Sequence, residues 1–201
     1  MILKNQSEFY SLNPSNISGC VAYWKLDDVI GSLAIDSVGG FTGSLISGTS
    51  WVQGRLGSAI QVGSPAYIDI ISAANQINWI SGTFSAWYNS TTAGSLRQII
   101  THCGVGDGYG GTGDIEIYLA TNDANAPGSI AFTIFKDSKQ ALNIKSKETF
   151  NQWNHVVAAW NGSNNYGFLY HNNTLIGSSL QPIELVAGSL TSIKLGRAQT
   201  T

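Results

Sequence analysis

A ten-residue segment at 153–162, WNHVVAAWNG, constrains the fold of this chain more than any other. Successive side chains of an extended strand point to opposite faces, and both faces of this segment are largely apolar. One face carries Trp153, His155, Val157 and Ala159, and the other carries Asn154, Val156, Ala158 and Trp160. A strand with water on one side would alternate apolar with polar residues, so the pattern predicts a central strand of a two-layer β structure.

Turn residues and two further strand-like segments follow. Asn and Gly residues within 161–165 tolerate positive φ, and the apolar pattern resumes at 166–170, YGFLY. A second polar turn at 171–173, HNN, leads into 175–177, LIG. The sequence therefore predicts three strands that run back and forth in order, a β meander.

The composition indicates a single all-β domain. The chain has 201 residues, 43% of them hydrophobic, which is enough to bury a core. It contains 23 glycines and shows no long segment of 3.6-residue period, so we expect many short strands. Ten Lys and Arg residues against twelve Asp and Glu give a net charge of -2. We therefore expect no nucleic-acid partner.

The sequence shows neither an export signal nor a membrane span. Residues 1–19 lack the apolar core of a signal peptide, and no stretch approaches the roughly 20 apolar residues of a span. We expect either synthesis in the cytoplasm or a signal that has been removed, and no membrane insertion. Cys20 and Cys103 are interpreted as two small core residues, with a disulfide as the alternative.

Three motifs occur in an order that is known from one family. Residues 20–28 are predicted to form a strand, and residues 23–27 within it are YWKLD. Residues 34–39 are AIDSVG, and residues 54–60 are GRLGSAI. Together with the WNHVVAAWNG strand they resemble the laminin-G-like, concanavalin A-like jelly-roll domains. Residues 66–70, AYIDI, and the segments GTFSAWY and IKLGR farther along are similar to later strands of that family, so the match spans residues 20–197.

The resemblance implies an all-β, two-sheet antiparallel jelly-roll sandwich. We expect an N-terminal arm at 1–17 and the jelly-roll domain at 18–201. The family's closing strand after the Leu-Gly-Arg segment is absent, which would leave backbone groups and an apolar stripe exposed. We hypothesise that the arm, or a strand from another subunit in a homo-oligomer, takes its place.

Catalysis is considered because some glycoside hydrolases share this sandwich and carry acids at alternate positions of one strand. Asp114 and Glu116 have that spacing. A third acid would be expected farther along the same face, where Tyr118 and Ala120 stand instead. We interpret the acids as the solvated face of an edge strand, and we expect a protein that is not an enzyme.

Calcium is the cofactor that the resemblance suggests, although none is expected to be required. Jelly rolls of this kind often hold the ion with loop carboxylates and amide oxygens, which are the hard ligands that it prefers. The candidate ligands flank one predicted strand and are Asp107, Asp114, Asn122, Asp123 and Asn125. The alternative is that these side chains only stabilise turns.

Glycan binding requires an exposed aromatic ring to stack on a sugar, with amide or acid groups beside it. Tyr109 in a Gly-rich loop and Trp79 before a turn are the candidates. The other tryptophans considered, Trp24, Trp87, Trp153 and Trp160, are expected in the core. His155 is expected to be a hydrogen-bonded core residue.

Two classes of function remain open. The first is a bacteriophage virion surface component, a decoration, fibre or tail protein assembled in the host cytoplasm, with other virion subunits or cell-surface glycans as partners. Few charges and a surface rich in Ser, Thr, Asn and Gly favour it. The alternative is a carbohydrate-binding or adhesion module of a secreted or cell-surface bacterial protein. The fold alone does not decide between them.

Overall fold

The computed structural model describes residues 16–63, 65–70, 76–90, 98–104, 114–120, 128–136, 139–147, 149–180 and 192–197. These residues form fourteen β-strands and no α-helix, so nothing in the described part of the chain is a helix that could span a bilayer. The strands are β1 (Leu33–Ala34), β2 (Gly43–Ile46), β3 (Ser50–Gln53), β4 (Ser58–Gln61), β5 (Tyr67–Asp69), β6 (Ser81–Asn89), β7 (Gln98–Gly104), β8 (Ile115–Ala120), β9 (Ser129–Lys136), β10 (Lys139–Lys147), β11 (Trp153–Asn161), β12 (Tyr166–His171), β13 (Thr174–Leu180) and β14 (Ser192–Leu195).

The strands form two large antiparallel sheets and one hairpin. The larger sheet has the order β1-β2-β5-β14-β7-β8-β9-β10, and the smaller has the order β13-β12-β11-β6. Strands β3 and β4 pair only with each other. Buried side chains from both large sheets, such as Phe132 and Leu142 on one and Val156 and Leu169 on the other, share a single core. The predicted all-β antiparallel sandwich is confirmed.

Strand β11 is central in the smaller sheet, as predicted. It pairs along its whole length with β6 and over six residues with β12, and β12 pairs in turn with β13. The β meander is therefore confirmed. Asn172 and Asn173 form its second turn with φ values of 48° and 66°, because a tight antiparallel turn requires the left-handed conformation that Asn tolerates.

Trp160 is the largest side chain on the inner face of β11, and Gly82 of β6 leaves space for it. The residues directly opposite are Gly82 on β6 and Gly167 on β12. A Cβ atom at Gly82 would lie 2.9 Å from the indole ring. The indole stacks on Trp79 with 6.4 Å between ring centroids, and its Nε1 donates a hydrogen bond to the Trp79 carbonyl oxygen at 2.8 Å. These contacts determine which face of β11 points into the core.

The N-terminal segment is not the strand that the sequence predicts. Between residues 20 and 28 the structure has a single isolated bridge, from Trp24 to Asp36. Leu26 has a φ of 60°, which interrupts the extended conformation. The segment is a loop that packs Trp24 against the core, and the Trp24 Nε1 donates a hydrogen bond to the Phe41 carbonyl oxygen at 2.7 Å. Apolar alternation here reflects packing rather than strand pairing.

The buried carboxylate of Asp36 holds this segment in place. Its Oδ1 accepts hydrogen bonds from the backbone N–H of Tyr23 at 2.7 Å and of Val38 at 2.9 Å. Its Oδ2 accepts from Gly39 and Phe41, both at 3.0 Å. Burial alone would raise the pKa of Asp36, but the four N–H donors outweigh that effect and lower the pKa below its ordinary value of 3.8.

The acids of β8 do not form a solvated face, which corrects the sequence interpretation. β8 lies between β7 and β9, not at an edge, and Asp114 and Glu116 are both fully buried. Glu116 is opposite Thr133 on one side and, by backbone register, His102 on the other. Polar residues therefore stand opposite one another on neighbouring strands. The alternation of polar and apolar residues within one strand does not show whether its polar face is covered or exposed to solvent.

Two further sequence expectations concern the cysteines and the arm. No disulfide joins Cys20 and Cys103; Cys103 is 3% exposed in the core and Cys20 is half-buried. Residues 1–15 of the expected arm lie outside the described residues. The proposal that the arm or another subunit supplies a closing strand therefore stays a prediction.

We predict that Asp36→Asn lowers the free energy of unfolding by about 3 kcal/mol, because an amide replaces one acceptor oxygen with a donor that faces backbone N–H groups. Since the folded pKa of Asp36 is lowered, the stabilisation is present above pH 3.8 and is lost as the pH falls through the folded pKa. Urea unfolding at pH 7 and in steps below pH 4 measures both effects.

Asp28→Asn is the matched control, because the carboxylate of Asp28 accepts one backbone hydrogen bond, from Ile35 at 3.1 Å. We expect it to cost less than about 1 kcal/mol. Equal losses in the two variants would contradict the anchoring role of Asp36.

Candidate functional site

The outer face of the smaller sheet carries an aromatic cluster next to a cavity. Because Trp160 points inward, residues an odd number of positions away on β11, including Trp153 and His155, point outward. On β6 the outward residues include Ser85 and Trp87. Register places His155 directly opposite Trp87. Two aromatic side chains from separate strands therefore meet on the surface.

His155 fixes the centre of this cluster. Its ring stacks on Trp87 with 4.7 Å between centroids and an interplanar angle of 29°, and its Nε2 lies 2.8 Å from Ser85 Oγ. Burial, and then the positive charge of Arg55, lower the pKa of His155 below its ordinary value of 6.5. The imidazole is thus neutral at pH 7, and it is half-buried on the outer face instead of in the core as the sequence analysis expected.

Trp87 is the most exposed ring of the cluster. It is 46% exposed, which corrects the expectation that it lies in the core. The face of β6 that carries Trp87 points to solvent. Neither its indole N–H nor that of Trp153 donates a hydrogen bond to a described residue, so both donors are open to a ligand.

Arg55 reaches the cluster from the β3–β4 hairpin. Its guanidinium carbon lies 3.8 Å from the centroid of the Trp87 ring, a close cation–π contact. The hairpin turn is tied to the N-terminal segment, because Ser58 donates its backbone N–H to Asp27 Oδ1 at 2.9 Å and its hydroxyl to the Leu26 carbonyl oxygen at 2.6 Å. The loop of 20–28 therefore positions a side chain of the site.

Asn154, fully buried at the start of β11, joins the two loops that border the cluster. Its Nδ2 donates to the backbone oxygens of Thr149 at 2.7 Å and Gln152 at 3.2 Å. Its Oδ1 accepts from Thr149 Oγ1 at 2.7 Å and from Asn172 Nδ2 at 2.8 Å. Asn172 Oδ1 in turn accepts the backbone N–H of His155 at 2.8 Å. The amide network holds both loops against the sheet.

These elements enclose an open cavity of about 480 Å³, within the range of ligand sites. Its lining residues are Arg55, Trp87, Gln152, Trp153, His155, Asn172 and Asn173. Aromatic rings, amides and one guanidinium form the walls, and none of the described residues that line the cavity carries a carboxylate. Rings that stack on apolar sugar faces, combined with fixed hydrogen-bonding groups, are the chemistry that carbohydrate recognition uses.

The sequence-predicted glycan residues do not form this cavity. Trp79 is 9% exposed and stacks on Trp160 in the core, so its ring has no face available for a sugar. Tyr109 lies outside the described residues. The position of Trp79 before a turn suggested exposure, but its backbone oxygen and ring both serve the Trp160 pocket.

Most of the candidate calcium ligands also lie outside the described residues, namely Asp107, Asn122, Asp123 and Asn125. Asp114 is described and is fully buried, and its carbonyl oxygen accepts the N–H of Phe135 at 2.9 Å. Within the described ranges, no three His, Cys, Asp or Glu side chains cluster as metal ligands. The calcium site stays a prediction.

Sequence reasoning missed the residues that line the cavity. Trp87 shares its face of β6 with the polar residues Thr83 and Ser85, but polar residues line covered faces as well as exposed ones, as β8 shows, so this pattern did not identify an exposed tryptophan. The two apolar faces of β11 suggested burial on both sides, which hid Trp153. Arg55 stands in a motif that was interpreted only as strand and turn, and nothing local in the sequence indicates that it contacts Trp87.

Comparison with known proteins gives the family. Residues 63–201 match the Laminin_G_3 family, described as the concanavalin A-like lectin/glucanases superfamily. No curated protein matches the sequence.

Among solved structures, domain 4 of a GH43 extracellular arabinanase from Geobacillus stearothermophilus, in complex with arabinotriose, superimposes with a TM-score of 0.60 at 16% identity, covering 88% of this chain and 82% of that one. The CBM40 of the Ruminococcus gnavus IT-sialidase, bound to α2,3 sialyllactose, gives 0.51 at 17% identity, with 77% of each chain covered.

A tailspike protein from Escherichia coli O157:H7 bacteriophage CAB120 gives a TM-score of 0.55 at 13% identity, covering 79% of this chain but 24% of the tailspike. At such identities these similarities establish the fold alone.

The family match covers more than half of the chain, and it agrees with the jelly-roll motifs and the antiparallel sandwich. The chain therefore belongs to the Laminin_G_3 family of the concanavalin A-like lectin/glucanases superfamily.

Proposed function

We propose that this protein is a non-catalytic carbohydrate-binding module that holds a glycan in the cavity on the outer face of the smaller sheet. The observation that carries the proposal is the exposed Trp87 beside half-buried Trp153, with the Gln152 and Asn173 amides on the same cavity. A sugar ring would pack against Trp153 and the exposed edge of Trp87, whose ring already contacts Arg55 and His155, while its hydroxyls bond to the amides and the indole N–H groups.

The described part of the chain supports a binding role over catalysis. The cavity is lined by one histidine and no carboxylate, whereas glycoside hydrolysis generally requires two carboxyl groups on either side of the scissile bond. Asp114 and Glu116, the pair considered for catalysis, are fully buried in the other sheet. His155 is neutral and hydrogen-bonded to Ser85, which suits a fixed wall of a binding site.

We make a second proposal about whether such a module belongs to a secreted or cell-surface protein or to a virion. A secreted or cell-surface module and a virion component would both present this cavity to a glycan. The arabinanase domain and the CBM40 favour the first by fold likeness, and the tailspike favours the second. The chain covers 24% of the tailspike, so the likeness concerns a small part of that protein. We therefore propose an extracellular or surface glycan-binding module and keep the virion component as the alternative.

A glycan array followed by calorimetry on the strongest ligand tests the proposal. Trp87→Ala should weaken binding at least about tenfold, because stacking surface is lost. Tyr166→Ala is the matched control: Tyr166 is a half-buried aromatic residue at the opposite end of β12 from Asn172, and it should leave the affinity unchanged. Absence of binding to any glycan, or equal affinity in wild type and Trp87→Ala, would refute the proposal.

The amide network predicts a coupling between stability and binding. Asn154→Ala removes the hydrogen bonds that hold the Thr149–Gln152 loop and Asn172, so we expect unfolding to become easier by about 2 kcal/mol and glycan affinity to fall. Denaturant titration and calorimetry measure the two effects.

Asn161→Ala provides the comparison at the other end of β11. Asn161 Oδ1 accepts the backbone N–H groups of Ser163 and Asn164 in a turn remote from the cavity. This variant should lose some stability and retain its affinity. If Asn154→Ala bound glycan as tightly as wild type, the network would not be what shapes the site.

A further inference from the structure

We infer that the glycan bound in this cavity carries a carboxylate, as sialic and uronic acids do, and that Arg55 recognises it. The inference rests on the proposed function and names the class of sugar. Arg55 is the one permanently charged residue among the described residues that line the cavity. Arg55 is exposed and makes no ion pair with a described residue, and no carboxylate lines the cavity to compensate it.

The contact with Trp87 fixes the guanidinium without using its hydrogen-bonding capacity. A guanidinium carbon 3.8 Å from a ring centroid is held by cation–π attraction, and its N–H groups make no hydrogen bond to a described residue. Its N–H donors lie in the guanidinium plane as a rigid fork that matches the two oxygens of a carboxylate. A neutral sugar would leave this fork to water, whereas a carboxylated sugar would form two charge-assisted hydrogen bonds.

The backbone that carries Arg55 is already ordered, so little entropy is lost on binding. Gly54 donates its N–H to the Gly57 carbonyl oxygen at 3.0 Å, and Gln53 Nε2 donates to the same oxygen at 2.9 Å. Asp27, the acid that contacts this turn, accepts the N–H of Ser58. This acid is therefore engaged with the backbone of the turn.

The other groups of the cavity suit an anionic ligand. The amide of Asn173 is exposed and makes no hydrogen bond to a described residue, and the indole N–H groups of Trp87 and Trp153 are donors only. The influence of Arg55 reaches the cavity wall, since its charge contributes to the lowered pKa of His155. Donors and one cation thus surround a space without an opposing negative charge.

Calorimetry on the full chain with matched sugars tests the inference. The probes are sialyllactose, its carboxylate methyl ester, lactose, trigalacturonic acid and a sulfated lactose. We expect at least one carboxylated sugar to bind roughly tenfold or more tightly than its neutral counterpart, and added salt to reduce that preference. Arg55→Gln should abolish the preference, so that the carboxylated sugar binds this variant no more tightly than its neutral counterpart does.

Arg197→Gln is the charge-matched control, because Arg197 also lies over an aromatic ring, Tyr67, at 5.5 Å but on the larger sheet. It should preserve the preference for the carboxylate. Equal binding of carboxylated and neutral sugars, or a preference for the sulfated sugar alone, would overturn this inference while leaving glycan binding intact. Failure of every sugar on the array would overturn the proposed function as well.

Discussion

The packing of Trp160 in the core is the constraint on which the rest of the structure depends. Gly82 leaves room for its indole, and the ring then contacts Trp79 and Phe132 in the core. Because strand side chains alternate with a period of two, a shift of one residue would turn every side chain of β11 over. Burying Trp160 therefore places Trp153 and His155 on the outer face, and pairing with β6 brings Trp87 beside them. The position of the site follows from the packing of the core.

The site itself is assembled from parts that are distant in sequence. The β3–β4 hairpin supplies Arg55, the smaller sheet supplies the rings, and the buried Asn154 aligns the loops around them. Asp36 contributes indirectly, because it fixes the N-terminal segment whose Asp27 ties down the hairpin turn. Buried polar groups with several hydrogen bonds thus stabilise the elements around an exposed aromatic surface. The residues that stabilise the site are therefore different from those that would contact a ligand.

The sequence predicted the fold well and the site poorly, for physical reasons. The meander at 153–177 could be predicted because alternation and turn chemistry are local properties. The segment at 20–28 was predicted as a strand because its apolar residues do pack inward, yet the carboxylate of Asp36 takes the backbone N–H of Tyr23 and Leu26 turns to positive φ. The exposure of Trp87 depends on whether another part of the chain covers the outer face of the smaller sheet, and its contact with Arg55 depends on tertiary structure. Neither could be predicted from residue spacing.

The most direct test of a glycan site on the outer face of the smaller sheet is a ¹H–¹⁵N spectrum of the six tryptophan indoles with and without the strongest-binding glycan. Assignment by single Trp→Phe substitutions identifies each signal. If the glycan binds on this face, the signals of Trp87 and Trp153 shift on saturation while those of the buried Trp79 and Trp160 stay in place. Shifts confined to other tryptophans, with Trp87 and Trp153 unmoved, would place the ligand elsewhere and contradict the account.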